Sequence, residues 1–197
     1  MLLIAARFVG IAIIPALIFE FYVQKKTLFS KKIIPLFLIP LGILSYVWFN
    51  FMQWGNPLHF IEAQGNLQNN RSIDSIILFP QTVFRYLRIL TSVNSHQYEW
   101  LIALLELSTF IFVSVMFFIA CKKKIRTSYL IFAFLAFLIP VSSGTFTGLP
   151  RYSLVLFPIF IAMALVKNKI FKIAYCVIGV ILLFLLFMLF SKGYFVS

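Results

Sequence analysis

Arg151 is the residue of this chain that is best placed to bind an anion. It lies in the nine-residue stretch 144–152 (GTFTGLPRY). The stretch joins two apolar runs, 127–141 and 152–166, each about 15 residues long. As helices they would reach about 22 Å, against a hydrocarbon core of about 30 Å. Because basic residues border their other ends, we expect the connecting loop to dip into the outer leaflet and to line a wet cavity. The sequence predicts that Arg151 brings a permanent positive charge there, suited to a lipid phosphate. The alternative is that the bilayer thins and Arg151 anchors at the headgroups.

Glu106 is the second residue whose type suggests chemistry. It lies about two turns into the apolar run 98–120, roughly 12 Å along a helix. An acid at that depth is costly and usually faces the interior of a helix bundle. Glu106 could pair with Arg151 or Arg7, be held neutral by hydrogen bonds, or act as a catalytic base; we favour a structural role.

The segment 53–97 carries the other polar candidates. Asn56 follows a glycine and precedes a proline, a pattern that predicts a turn and a short helix. His59 shares a face of that helix with the acid three positions later, so it could bind a sugar, orient a base or form a plain surface pair. Arg85 and Arg88 lie three apart on a predicted interfacial helix, where they could meet an anionic headgroup or only snorkel to lipid phosphates.

The elements that must position these residues are membrane helices. Hydrophobic residues make up 62% of the chain and charged residues 11%, whereas a soluble domain has about 25% charged residues. The sequence predicts an all-α integral membrane fold, a bundle of about six transmembrane helices with interfacial helices in one outer loop. The predicted spans are approximately 2–23, 33–52, 98–120, 127–141, 152–166 and 173–190.

The basic residues predict the orientation of the bundle. The net charge of +12 does not indicate nucleic acid, because eleven of the seventeen Lys and Arg residues fall in three short loops, 25–32, 121–126 and 167–172. Those loops alternate between spans, so all three can be cytoplasmic, as the positive-inside bias requires. Both termini and the segment 53–97 are then extracytoplasmic. Cys121 and Cys176 map to cytoplasmic helix ends, where we expect free thiols, and no Cys/His cluster suited to a metal is present.

The predicted orientation of the first helix indicates whether residues precede Met1 in the natural protein. An extracytoplasmic N-terminus without a leader peptide predicts that further helices precede Met1 in the natural protein. We therefore expect residues 1–197 to form a single transmembrane domain that is the C-terminal part of a longer protein.

Four stretches carry a resemblance to a known family. The chain resembles the C-terminal half of PIG-V-like mannosyltransferases in their bacterial form, in 6–15 (ARFVGIAIIP), 54–64 (WGNPLHFIEAQ), 84–90 (FRYLRIL) and 149–152 (LPRY) with 156–158 (LFP). The order and spacing of these stretches, over nearly the whole chain, carry the resemblance, since no single stretch is specific.

The resemblance implies a GT-C-type glycosyltransferase of the bacterial plasma membrane that needs no cofactor. Such an enzyme transfers a sugar, typically mannose, from a polyprenyl-phosphate carrier to a glycan or glycolipid acceptor on the extracytoplasmic face. By matching position, Arg151 would hold the carrier phosphate with support from Tyr152, Arg7 would lie near the same cavity, and Asn56 and His59 would shape the acceptor or sugar side. The family's catalytic acid lies in the first outer loop, and no acidic residue precedes Arg7 here.

Two other classes of protein fit the same residues. Broken helices and buried charge also occur in transporters and flippases for anionic lipids or solutes. A non-catalytic membrane subunit that completes another protein's site is the third class. An acid-bearing outer loop encoded upstream of Met1 would favour the enzyme, and an inverted copy of this helix pattern would favour a transporter.

Overall fold

The computed structural model describes residues 8–25, 40–59, 77–94 and 97–194. Arg7, residues 60–76 of the outer segment and the first part of the predicted span 33–52 lie outside these ranges. The described residues form a 3₁₀ turn at Phe8–Ala12 and helices α1 (Ile13–Lys25), α2 (Leu41–Trp54), α3 (Phe79–Ser92), α4 (Tyr98–Lys122), α5 (Thr127–Val141), α6 (Leu149–Ser153), α7 (Phe157–Ala164) and α8 (Lys169–Ser191). Within these ranges the only extended pairing is an isolated bridge between Ile77 and Ser143, so the predicted all-α class is confirmed.

Two of the described helices, α4 and α8, are long and apolar enough to cross a membrane. They correspond to the predicted spans 98–120 and 173–190. The apolar helices Gly10–Gln24 and Thr127–Val141 are shorter. Asn168 accepts hydrogen bonds from the backbone N–H groups of Ile170 and Phe171, and this side-chain cap starts α8 before the predicted boundary.

The prediction of one helix across 152–166 is wrong. The structure has the short helix α6, a break at Leu154–Leu156, and then α7. Pro158 explains the break, because a proline inside a helix cannot donate a hydrogen bond to the carbonyl four residues earlier and its ring clashes with that carbonyl, whereas in the first turn it loses no bond. A new helix therefore begins at Phe157.

The described chain divides into two compact units, and the boundary falls inside α3. The first unit contains α1, α2, the start of α3 and α5. In it α1 packs against α5, and both helices bury small residues, Ala16 on α1 and Ala133 and Ala136 on α5. Small residues allow helix backbones to approach closely, as membrane helices do.

The second unit contains the rest of α3, with α4, α6, α7 and α8. Here α4 packs against both α6 and α7, with Leu149, Ile159 and Ala162 buried. The indole N–H of Trp100 donates to the carbonyl of Leu90 at 3.0 Å and fixes the start of α4 to the end of α3. This unit holds Arg151 and Glu106.

Helix α8 is apolar but contains no buried residue. Leu183 and Phe187, for example, are both 67% exposed. Contiguous apolar surface of this extent is unfavourable in water and favourable in lipid. The exposure of α8 is therefore what a lipid-facing helix would have.

Candidate functional site

Arg151 lies on the short helix α6, whose start is defined by Gly148. Gly148 has left-handed backbone (φ 78°), and its carbonyl accepts hydrogen bonds from the N–H groups of Arg151 and Tyr152 at 3.0 and 3.2 Å. Pro150 occupies the first turn of α6, where it costs no helical hydrogen bond. Leu149 is fully buried, so one side of the turn is anchored while the Arg151 side chain stays exposed.

The Arg151 side chain lines a cavity of about 690 Å³ within the second unit. Small-molecule sites commonly have volumes of about 300–1,000 Å³. Residues of α4, α7 and α8 complete the wall, among them Ser108, Thr109, Tyr175 and Gly179. Among the lining residues that the structure describes, Arg151 alone carries a formal charge, and most of the others are apolar.

The polar groups of the cavity wall include both hydrogen-bond acceptors and hydrogen-bond donors. The hydroxyls of Ser108 and Thr109 donate to the carbonyl of Leu105 at 2.9 and 2.7 Å, so they offer lone pairs rather than protons to the cavity. The rings of Phe112 and Tyr175 stack with their centroids 5.2 Å apart. No described residue forms a hydrogen bond or ion pair with the Arg151 guanidinium, which has five N–H donors. The cavity thus combines one strong set of donors with an apolar wall.

Glu106 lies next to this cavity but does not line it. It is 3% exposed. One of its carboxyl oxygens accepts a hydrogen bond from the Tyr86 hydroxyl at 2.6 Å, and the other accepts from the Gly148 N–H at 3.2 Å. The structure therefore joins Glu106 to the turn that carries Arg151 through the backbone of Gly148.

Asn56 and His59 belong to the first unit. The Asn56 side-chain oxygen accepts from the Leu58 N–H at 2.9 Å, which stabilises the turn after α2. The His59 ring stacks on Trp54, with centroids 5.1 Å apart and planes inclined by 17°. These contacts organise the end of α2, where Gly55 has positive φ.

Arg85 and Arg88 lie on α3 in the second unit, and both are exposed. Neither lines the Arg151 cavity. Between them lies Tyr86, which is buried and bonded to Glu106. The sequence predicted a binding role for the two arginines, whereas the residue of α3 that contacts the buried Glu106 is Tyr86.

A second polar cluster joins α1 to α5 in the first unit. Arg126 forms an ion pair and hydrogen bond with Glu20, and the Ser128 hydroxyl donates to the same carboxyl at 2.6 Å. The hydrogen bond from Arg126 to Glu20 raises the pKa of the Arg126 guanidinium, so it stays charged. The cluster is exposed at Arg126 and holds two helix ends together. Within the described ranges, no three His, Cys, Asp or Glu residues are grouped as a metal would require.

Tyr86 and Gly148 are the residues of the site that sequence reasoning missed. A signal for Tyr86 was available, since an acid buried in an apolar helix needs a hydrogen-bond donor from elsewhere in the chain. Nothing in the local sequence says which donor that is, because Tyr86 precedes Glu106 by 20 residues and Gly148 follows it by 42.

The interpretation of this site rests on its geometry, because the comparisons with known proteins gave no match. No family model, curated protein or solved structure matches the chain. The arrangement itself can hold an anion at Arg151 and an apolar group along the neighbouring wall.

Proposed function

We propose that this chain is part of a multi-pass membrane glycosyltransferase that takes a sugar, typically mannose, from a polyprenyl-phosphate carrier. The single observation that carries the proposal is the position of Arg151, the one charged residue among the described lining of an otherwise largely apolar cavity. A polyprenyl phosphate has the matching form, an anionic head on an apolar chain. The resemblance of 149–152 and the other three stretches to PIG-V-like enzymes supplies the reaction class.

In the proposed reaction the Arg151 guanidinium donates hydrogen bonds to the carrier phosphate. The bond between the anomeric carbon and the phosphate oxygen breaks, an acceptor hydroxyl forms the new glycosidic bond, and negative charge grows on the leaving lipid phosphate. A guanidinium stabilises that charge more effectively in a site shielded from water than in bulk solvent. The proton acceptor for the hydroxyl is not assigned to Glu106, because that residue is buried and outside the cavity lining.

The membrane setting belongs to the same proposal. We infer about six spans with the three basic loops in the cytoplasm and the Arg151 cavity open to the extracytoplasmic half of the bilayer. The length of α4 and the unburied apolar surface of α8 support membrane insertion. Glu106 lies about 12 Å along α4 from its start, and the turn bonded to it would lie at a similar depth.

The experiment compares Arg151→Lys and Arg151→Ala with the native residue. Sugar transfer from polyprenyl-phosphate mannose is measured in membranes that contain the full-length protein. We expect about a hundredfold lower turnover for the alanine variant and about tenfold for the lysine variant, since lysine keeps the charge but loses the bidentate fork. Lys192→Ala, which removes an exposed cation outside the cavity, is the matched control. Unchanged turnover in both Arg151 variants, at normal protein levels, would rule the role out.

A transporter or flippase for an anionic lipid is the second candidate. The break between α6 and α7, preceded by the left-handed Gly148, is the kind of helix interruption found at transporter binding sites. Reconstituted vesicles separate the two functions. Movement of a labelled polyprenyl phosphate between leaflets, without any sugar transfer, would favour the transporter.

A further inference from the structure

The contacts of Glu106 point to a role that is distinct from proton transfer. Its two carboxyl oxygens accept hydrogen bonds from two other parts of the second unit, the Tyr86 hydroxyl on α3 at 2.6 Å and the Gly148 N–H at 3.2 Å. Both Glu106 and Tyr86 are buried. Three separate stretches of chain therefore meet at one carboxyl group.

Gly148 connects this carboxyl group to Arg151. The Gly148 N–H is bound by Glu106, and the Gly148 carbonyl accepts from the N–H groups of Arg151 and Tyr152 at 3.0 and 3.2 Å. The peptide groups on both sides of Gly148 are thus held in place. Gly148 adopts φ 78°, and a glycine has more backbone freedom than any other residue. Because the hydrogen bond to Glu106 limits that freedom, it also restrains the turn that follows Gly148.

Glu106 is not part of the cavity lining. Leu105, Ser108 and Thr109 of α4 face the cavity, whereas Glu106 does not. A general base must come within hydrogen-bond reach of the proton that it abstracts. Glu106 is therefore placed to affect a ligand through the turn that it holds.

We propose that Glu106 is a positioning residue for Arg151, and that Tyr86 orients Glu106. The carboxyl group fixes the Gly148 peptide and so keeps the guanidinium at the edge of the cavity before the ligand arrives. Preorganisation of this kind increases affinity because less ordering remains to be done on binding. The proposal rests on the proposed function, in which Arg151 binds the lipid phosphate.

A double-mutant cycle tests the link. The full chain is purified in nanodiscs, and its affinity for decaprenyl monophosphate is compared with its affinity for the neutral alcohol decaprenol. We expect Glu106→Ala to weaken phosphate binding about tenfold, because the substitution leaves the buried Tyr86 hydroxyl and the Gly148 N–H without this acceptor. In an Arg151→Ala background the same substitution should have no further effect, since residues that act through one another are not additive.

The conservative variants distinguish position from charge. Glu106→Gln keeps an oxygen for the Gly148 N–H and can offer its amide N–H to the Tyr86 oxygen, so its affinity should be near native. Tyr86→Phe removes one donor and keeps the ring, so its loss of affinity should lie between those of the glutamine and alanine variants. If Glu106→Ala fails to accumulate, the same cycle is run with Tyr86→Phe and Arg151→Ala, in which the single loss of the phenylalanine variant should again disappear.

Two results would overturn the proposal while leaving the proposed function intact. One is a loss in Glu106→Ala, or in Tyr86→Phe, that is the same with and without Arg151. The other is an equal loss for Glu106→Gln and Glu106→Ala, which would assign the effect to the acidic group itself. Native affinity for decaprenyl monophosphate in Arg151→Ala alone would instead contradict the proposed function, and the positioning role with it.

Discussion

At the scale of single residues, Arg151 and Glu106 are a basic and an acidic residue with different surroundings in one unit. The guanidinium is exposed on a cavity wall, and the carboxyl group is buried behind that wall. The residue that connects them carries no side chain at all. Gly148 adopts φ 78°, a conformation that costs other residues about 1–2 kcal/mol.

Gly148→Ala should therefore affect both stability and binding. An added Cβ would lie 3.4 Å from an Arg151 guanidinium nitrogen, so the methyl group would contact and restrict that side chain as well as strain the backbone. We expect unfolding to become easier by about 1 kcal/mol and binding of decaprenyl monophosphate to weaken. Thermal unfolding and lipid titration measure the two effects.

Gly193→Ala is the matched control for this prediction. Gly193 has φ 84°, and an added Cβ there would have no neighbour within 4 Å. It should share the backbone cost and leave binding unchanged. Equal losses of lipid affinity in the two variants would mean that the contact of the added methyl group with Arg151 is irrelevant.

At the scale of helices, the apolar runs of the sequence defined α4 and α5 closely. The prediction 127–141 coincides with α5, and 98–120 falls within α4, because the basic stretch 122–126 separates the two apolar runs. The region 152–166 was predicted wrongly because hydropathy does not register the effect of Pro158 on helix continuity. Contacts between helices could not be predicted, since no local pattern pairs α3 with α4.

Helix α8 offers a test of the cavity that does not touch Arg151. Gly179 lines the cavity, and an added Cβ there would meet no atom within 4 Å. Gly179→Leu should fill space that an apolar chain would use, while replacing a glycine inside a helix should stabilise α8 by up to about 1 kcal/mol. We expect weaker binding of decaprenyl monophosphate without loss of thermal stability.

Val180→Leu is the neighbouring control for Gly179→Leu. Val180 is exposed on the same helix but does not line the cavity. Its substitution should leave lipid affinity unchanged. If both variants bind lipid as the native chain does, the apolar part of the ligand lies elsewhere.

At the scale of the whole molecule, composition indicated a membrane protein, and two described helices have the length and apolarity to cross a bilayer. The division into two units was not predicted, because apolar runs give the number of helices but not their grouping. Helix grouping depends on particular contacts, such as that of Glu20 with Arg126 and Ser128, whose partners lie more than a hundred residues apart.

The proposed orientation predicts the accessibility of introduced and native thiols. In a Cys176→Ser background, Cys121 is the remaining native cysteine, exposed at the end of α4 that we assign to the cytoplasm. It should react with a membrane-impermeant maleimide only after cells are permeabilised. A cysteine introduced by Asn94→Cys, with Cys121 also replaced, should react in intact cells. The reverse pattern would mean that the chain is inserted the other way round.

The two hydrogen bonds of Glu106 also order events during synthesis. Tyr86 leaves the ribosome twenty residues before Glu106, and Gly148 leaves it forty-two residues later, after all of α5. An acidic side chain in an inserting helix is costly, by about 2.5–3.5 kcal/mol where it lies at the centre of the helix. Nascent α4 could thus leave the translocon with its acid already bound by the Tyr86 hydroxyl but not yet by the Gly148 N–H, so Tyr86 would matter for biogenesis before it matters for any ligand.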